Sequence, residues 1–354
     1  MMELQQLVRK NIAALKPYSS ARTEFSGEAM VFLDANENPY NQPYNRYPDP
    51  LQWRLKERIA LLKHCRREQL FLGGGGSDEP IDLLFRAFCE PATDNAVSIA
   101  PSYGMYEVAA DIANVEFRKV QLTADYELVA ADVLAATDAH TKLLFLCSPN
   151  NPTGNLLNRD EILKIVRSFG GLTIVDEAYI DFAPQASLLP DLEAYPNLVI
   201  LQTFSKAWGM AGIRLGMAFA APEIIAILNK IKYPYNVNIL TQQTALELLA
   251  HEQRKDEWVT LLTGERDKLS AELAALAGVE RIFPSDANFL LVKLHNARSV
   301  YLELVKNGVI VRDRSKIALC NDCLRITVGT PAENETLLIE LKKFLLPYQN
   351  EKDS

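Results

Sequence analysis

Residues 204–216 read FSKAWGMAGIRLG, with Lys206 between Ser205 and Ala207 and Arg214 eight positions on. The apolar run LVILQTF leads into them, so this lysine would leave the end of a buried strand instead of lying on a solvated helix face. Other apolar runs end in similarly polar company. The run at 70–72 ends in Gly73–Gly76 and Ser77, that at 96–100 leads to Tyr103, and that at 143–147 to Asn151. The run at 172–175 ends in Asp176, with Tyr179 close behind. In open α/β sheets, ligands bind beyond the carboxyl ends of the strands. One rim would thus collect glycine amides, an aromatic ring, an amide, a carboxylate, a phenol and a lysine.

That set suits pyridoxal phosphate. An amine forms a Schiff base with its aldehyde and the ring acts as an electron sink, which works best when a buried carboxylate keeps the ring nitrogen protonated. Glycine amides before a helix at 77, together with Arg214, could hold a phosphate. Each residue also has a plainer reading: a surface lysine, a strand-end cap, a turn asparagine, core tyrosines. GGGGSDEP is neither a P-loop, since no Gly-Lys-Ser/Thr follows, nor a dinucleotide fingerprint, since Asp78 and Glu79 stand where a third small residue is needed. Those acids can favour the helix N-terminus while their side chains point away from the phosphate.

The elements that must carry this rim alternate. FLGGGGSDEP leads into IDLLFRAFCE with Ser77 as N-cap, and LLFLCSPNNPTG into NRDEILKIVRSF. AVSIAPSYG, LTIVDEAY, LVILQTFSK and RLGMAFA supply further strands. Strands alternating with helices predict a parallel α/β sheet buried on both faces. After residue 240 the chain becomes charged and helical, then yields short strands in FPSDANFLLVKL, GVIVRD and CLRITVGT, which predicts a smaller α+β module. We expect a large domain over 31–250, a small one over 251–354, and residues 1–30 packing beside the small domain as an amphipathic helix.

Composition narrows the class. A net charge of −8 over 354 residues argues against a nucleic-acid surface. Five cysteines without regular spacing suit a reducing compartment, and the lone Cys320/Cys323 pair does not point to zinc or any other metal. No apolar run approaches the ~20 residues needed to span a bilayer, so the cytoplasm is the expected location.

The motifs in order, GGGGSDE, SYGMY, SPNNPTG, VDEAY, SKAWGMAGIRLG and CLRITVGT, resemble those of the fold-type-I, pyridoxal-phosphate-dependent (class-II) aminotransferases over nearly the whole chain. KPYSSAR, LDANENPY, NRYPDP and GVIVRDRS are similar to the histidinol-phosphate branch of that family. The resemblance implies a mostly parallel sheet of the seven-stranded type, sandwiched by helices, plus the smaller domain. It implies Lys206 as the Schiff-base lysine and Asp176 as partner of the ring nitrogen. Asn151 and Tyr179 would bond the ring hydroxyl, and Tyr103 would stack on the ring. Gly76, Ser77, Asp78, Thr203, Ser205 and Arg214 would surround the phosphate. Tyr47 would reach it from the neighbouring subunit of a homodimer. Tyr18, Asn36, Arg312 and Arg325 would bind substrate.

The expected reaction is transfer of the amino group of L-histidinol phosphate to 2-oxoglutarate, with no nucleic-acid or membrane partner. Threonine-phosphate decarboxylation and aromatic transamination are the alternatives within the same fold. A regulatory module that keeps only the fold is disfavoured, because both Lys206 and Asp176 are present.

Overall fold

The computed structural model describes residues 4–18, 22 and 31–352. Seven strands form the larger sheet: β1 (Leu70–Gly73), β2 (Asn95–Ala100), β3 (Glu116–Gln121), β4 (Thr141–Cys147), β5 (Leu172–Asp176), β6 (Leu198–Thr203) and β7 (Gly216–Phe219). Their order is β1-β7-β6-β5-β4-β2-β3. Pairs from β6 across to β3 are parallel, while β7 runs antiparallel to both β6 and β1. β3 escapes the sequence reading because EFRKVQ is polar. As an edge strand it is paired on one side only, and much of it meets solvent.

Helices cover both faces: α1 (Leu4–Leu7), α2 (Lys10–Ala14), α3 (Trp53–Lys63), α4 (Asp78–Phe88), α5 (Met105–Ile112), α6 (Ala130–Ala135), α7 (Arg159–Ser168), α8 (Pro222–Ile231), α9 (Ile239–Leu248) and α10 (Glu252–Ala274). Alternate residues of each strand feed opposite cores. Leu144 and Leu146 pack with Leu55 and Ile59 of α3 and with Ile162 and Ile165 of α7. Leu143 and Phe145 pack with Phe85 of α4, Tyr106 of α5 and Leu228 of α8. Each fully buried side chain of this size contributes about 1.5–3 kcal/mol, which holds the strand ends rigidly in register. In α7 the expected start is confirmed in detail, since Asn158 accepts from the amides of Asp160 and Glu161.

The N-terminal segment departs from expectation. It forms two short helices broken at Arg9, whose N–H bonds the Ala87 carbonyl and whose guanidinium meets Glu90. Leu7 enters the core beside α4. These helices therefore pack on the large sheet's layer and not on the small module.

A second sheet, β10-β11-β9-β8, is antiparallel throughout. Its strands are β8 (Val279–Ile282), β9 (Phe289–Leu294), β10 (Arg312–Asp313) and β11 (Cys323–Thr327), with α11 (Ala297–Lys306) and α12 (Pro331–Lys352). Of GVIVRD, only the last two residues pair as a strand. One face packs Leu290, Val292, Leu324 and Ile326 on Leu273, Val300 and Leu341. Leu291 on the other face joins the large domain's core, which turns that face toward the rim of the larger sheet.

The reversed direction of β7 places the chemistry. Thr203 pairs with Gly216, so the 204–215 excursion leaves and returns at one rim. Gly216 also pairs with Gly73, which presses the glycine loop against the same spot. A Cβ at 216 would lie 2.2 Å from Gly76 C and Ser77 N. Main chain cannot rotate away as a side chain can. Gly216→Ala is expected to cost roughly 2–3 kcal/mol, read as a lower urea midpoint; an unchanged midpoint would refute this close approach.

Candidate active site

A cavity of about 500 Å³ opens where the strand ends face the second sheet. β1 delivers Gly76, Ser77 and Asp78 to it, β2 delivers Tyr103, β4 Asn151, β5 Asp176 and Tyr179, and β6 Thr203, Ser205 and Lys206. Arg214 enters from the residue pair before β7, and Arg312, Arg314 and Arg325 from the second sheet. Nearly all the rim residues expected from the sequence thus share one space.

Asp176 ends the central strand and is 2 % exposed. Its Oδ2 accepts from the Tyr106 hydroxyl at 2.6 Å and its Oδ1 from the Ala178 amide at 3.0 Å. Burial outweighs those two bonds and pushes its pKa from 3.8 up to about 6. No cation pairs with it among the described residues. A buried carboxylate in this condition is matched by a bound cation such as a protonated ring nitrogen.

Lys206 is exposed and lines the cavity together with Asp176. Its ammonium lies 5.5 Å from the Tyr179 ring centre. Burial, then the charge of Arg325, hold its pKa below the usual lysine value, and the carboxylates of Asp176 and Asp78 oppose this. Tyr179 is braced edge-on by Phe289 of β9 at 5.1 Å. Asn151 bonds the Tyr179 hydroxyl at 3.5 Å, and its Oδ1 accepts from Arg325 at 2.6 Å. The second sheet therefore holds the asparagine turn in place.

The glycine loop corrects two details. Ser77 makes no side-chain cap, because its backbone is already helical (φ −69°, ψ −10°). Its hydroxyl is left to the cavity. The Gly76 amide bonds the Gly73 and Arg214 carbonyls, so the amides facing an anion are those of Ser77 and Asp78 at the start of α4. Glu79 does turn away, accepting from Gly75 N and from Asn236 Nδ2. Asp78 does not: it lines the cavity and accepts from the Tyr103 hydroxyl at 3.1 Å. Arg214, in a left-handed conformation at φ 55°, points Nη2 to the Gly75 carbonyl at 2.9 Å. Thr203 Oγ1 accepts from Ser205 N at 3.1 Å, which fixes the lysine turn.

Tyr18 and Asn36, expected at the substrate, lie elsewhere, as does Tyr47, which was expected to serve a neighbouring subunit's site. Tyr18 is exposed in a recess beside Arg9 and Lys230, because α1 and α2 anchor on α4. Asn36 and Tyr47 line a separate recess in the irregular 31–50 segment. There Glu37 ties Arg22, Arg46 and the Tyr47 amide together, and Tyr47 stacks on Tyr235 at 4.4 Å.

Two residues were missed. Tyr106 stands three positions after Tyr103, a helical spacing that could have flagged it. Arg314 alternates with Arg312, a strand spacing that could have flagged it too.

The donor set fits pyridoxal phosphate: a buried carboxylate lacking a cation, helix-start amides with a nearby guanidinium, a lysine and ring-flanking tyrosines. The description "Aminotransferase class I and II" matches residues 30–341. The histidinol-phosphate aminotransferase of Parabacteroides distasonis is 58% identical over 346 residues, covering 98% of this chain and all of that relative. The crystal structure of the histidinol-phosphate aminotransferase from Clostridium acetobutylicum superposes with a TM-score of 0.79 at 25% identity, covering 86% of this chain and 92% of that one. The Sinorhizobium meliloti protein of the same name, solved in complex with pyridoxal-5'-phosphate, shares the fold at a TM-score of 0.78 and 24% identity, over 85% and 83% of the two chains.

The Asp176 environment predicts a pH signature. The folded chain holds this proton more tightly than the unfolded one, so the residue's contribution to stability is present below about pH 4 and lost as pH rises through about 6. Cofactor-free Asp176→Asn, which cannot ionise, should gain on wild type by roughly 2–3 kcal/mol between those limits. Urea melts at several pH values read this; a pH-independent difference would show that the carboxylate is not pushed up.

Proposed function

The chain belongs to the class I and II aminotransferases, and on that premise we propose that it transfers the amino group of L-histidinol phosphate to 2-oxoglutarate. The products are imidazole acetol phosphate and glutamate, a step of L-histidine synthesis. Near-full-length identity to relatives bearing that name supports the reading. The observation in the cavity that carries it is the pairing of Arg312 with Arg325 on facing strand positions, both lining the cavity with Lys206 and neither ion-paired among the described residues. Guanidiniums so placed bind phosphate and carboxylate oxygens.

Pyridoxal 5'-phosphate, when bound, supplies an aldehyde for exchange of the amine and a ring that takes up the electron pair left by the departing Cα proton. We assign Asp176 to the ring nitrogen, Tyr103 to the ring face, and Asn151 with Tyr179 to the ring hydroxyl. Ser77, Asp78 N–H, Thr203, Ser205 and Arg214 surround the phosphate. Lys206 would anchor the group, and its free amine would serve as the base. Its lowered pKa enlarges the neutral fraction able to accept a proton from the substrate carbon. Arg325 both lowers that pKa and orients the anionic end of the substrate, so binding and proton transfer are coupled through one residue.

We further propose a homodimer in which Tyr18, Asn36 and Tyr47 complete the neighbour's site. Tyr44 (59 %) is exposed in the recess that holds Asn36 and Tyr47, and Tyr233 (77 %) in the one that holds Tyr18, as at protein interfaces. All five cysteines are unpaired, which suits a reducing compartment, and we place the enzyme in the cytoplasm. Among the described residues no helix is long and apolar enough to cross a membrane.

Lys206→Ala should abolish the visible band of the bound cofactor and lower turnover by roughly 10²–10⁴ or more; a retained band would remove the lysine from its role. A donor panel that follows glutamate and carbon dioxide separately should show glutamate formed from L-histidinol phosphate. Carbon dioxide from threonine phosphate would reverse the assignment. Sedimentation should give twice the chain mass, and a monomer would leave Tyr47 without its function.

A further inference from the structure

We propose that Arg314 determines specificity in the substrate site: with Arg312 and Arg325 it makes the cavity select molecules carrying two negative charges over those carrying one. The inference rests on the reading above, in which a phosphate monoester donor and a dicarboxylate acceptor use one cavity in turn. Those two substrates share little in shape. What they share is about two units of negative charge.

The antiparallel ladder puts Arg312 opposite Arg325 and Asp313 opposite Leu324, and beyond them Arg314 N–H bonds the Cys323 carbonyl at 2.9 Å. Side chains two apart on a strand, and those directly opposite, share a face. All three guanidiniums line the cavity. Asp313, between them, turns to the other face and pairs with Arg298 at 3.0 Å. The three cations thus have no acid among them.

Arg314 is also unsatisfied. Its Nε is buried without a hydrogen-bond partner, and among the described residues its guanidinium makes no ion pair. Arg325 has one nitrogen on Asn151, but its Nε is likewise buried and free. Burial holds both below the usual arginine range; the charges of Arg325 and Arg312 add to this at Arg314, and at Arg325 Tyr179 opposes it while Arg312 adds to it. A purely structural arginine would end on a carbonyl or carboxylate. This one lines the cavity beside two like charges, where a bound anion would offset the repulsion and accept from the free donor. One guanidinium suffices to clasp one carboxylate; a cluster of three exceeds what a single charge needs and suits a dianion.

The test uses holoenzyme with Arg314→Gln, and calorimetry with glutarate, valerate and inorganic phosphate as probes. The expected result is glutarate and phosphate binding weakened roughly tenfold to a hundredfold, valerate changed by less than about twofold, and the visible cofactor band unaltered. The KM for 2-oxoglutarate should rise in step while kcat changes little. Unchanged glutarate affinity, or an equal loss for valerate, overturns the proposal. Should Arg314→Gln fail to fold, Arg314→Lys, which keeps the charge and loses the fork, is read the same way with a smaller loss. Wild-type enzyme that ignores L-histidinol phosphate yet binds glutarate in an Arg314-dependent manner would refute the donor assignment and leave this one standing.

Discussion

A carboxylate at the end of the central strand, sealed from water and given no cation of its own, is the constraint around which this molecule is arranged. Asp176 keeps two hydrogen bonds, from Tyr106 and from the Ala178 amide, and these do not offset its burial. Left alone it costs stability. Facing a protonated ring it becomes the feature that keeps that ring an electron acceptor. Lys206 is adjusted in the complementary direction, its proton loosened by burial and by Arg325. Two groups in one cavity, shifted oppositely by their surroundings, are what acid–base chemistry near neutral pH requires.

The fold supplies the rigidity that such tuning needs. Asp176 is bracketed by parallel neighbours β4 and β6, so its position is set by two ladders and two apolar layers. The antiparallel β7 then brings Arg214 and the glycine loop to the rim where Lys206 emerges. Had β7 run parallel, its leading residues would lie at the opposite edge of the sheet, and the phosphate end of the site would not exist. The second sheet closes the cavity with its arginine-bearing face, and one contact, Arg325 to Asn151, couples that closure to the asparagine turn.

Much of this was legible in the chain. Apolar runs of three to seven residues name the buried strands, and the residue that ends each run names a cavity-lining group, because strand direction and rim position go together in a parallel sheet. Lys206, Asp176, Asn151, Tyr179 and Tyr103 were found in that way, and Arg214 as the cation eight positions after the lysine. Other features were hidden for identifiable reasons. β3 is polar because it is an edge. Tyr106 reads as one more apolar helix residue until its hydroxyl is seen against Asp176. Arg314 is masked by the charge-rich VRDRS, which looks like a solvated turn. The N-terminal helix reads as continuous, but its break at Arg9 is dictated by partners some eighty residues away.

Local pattern alone determined which segments become strands, which residues stand at their ends, and what chemistry those residues could share, since period and residue type are properties of neighbours in sequence. Only the tertiary structure decided the reversed β7, the face on which three arginines gather, and the placing of Tyr18 and Asn36 outside their own chain's cavity. Those outcomes depend on pairings between distant segments, and on burial and electrostatics that arise once the layers have closed.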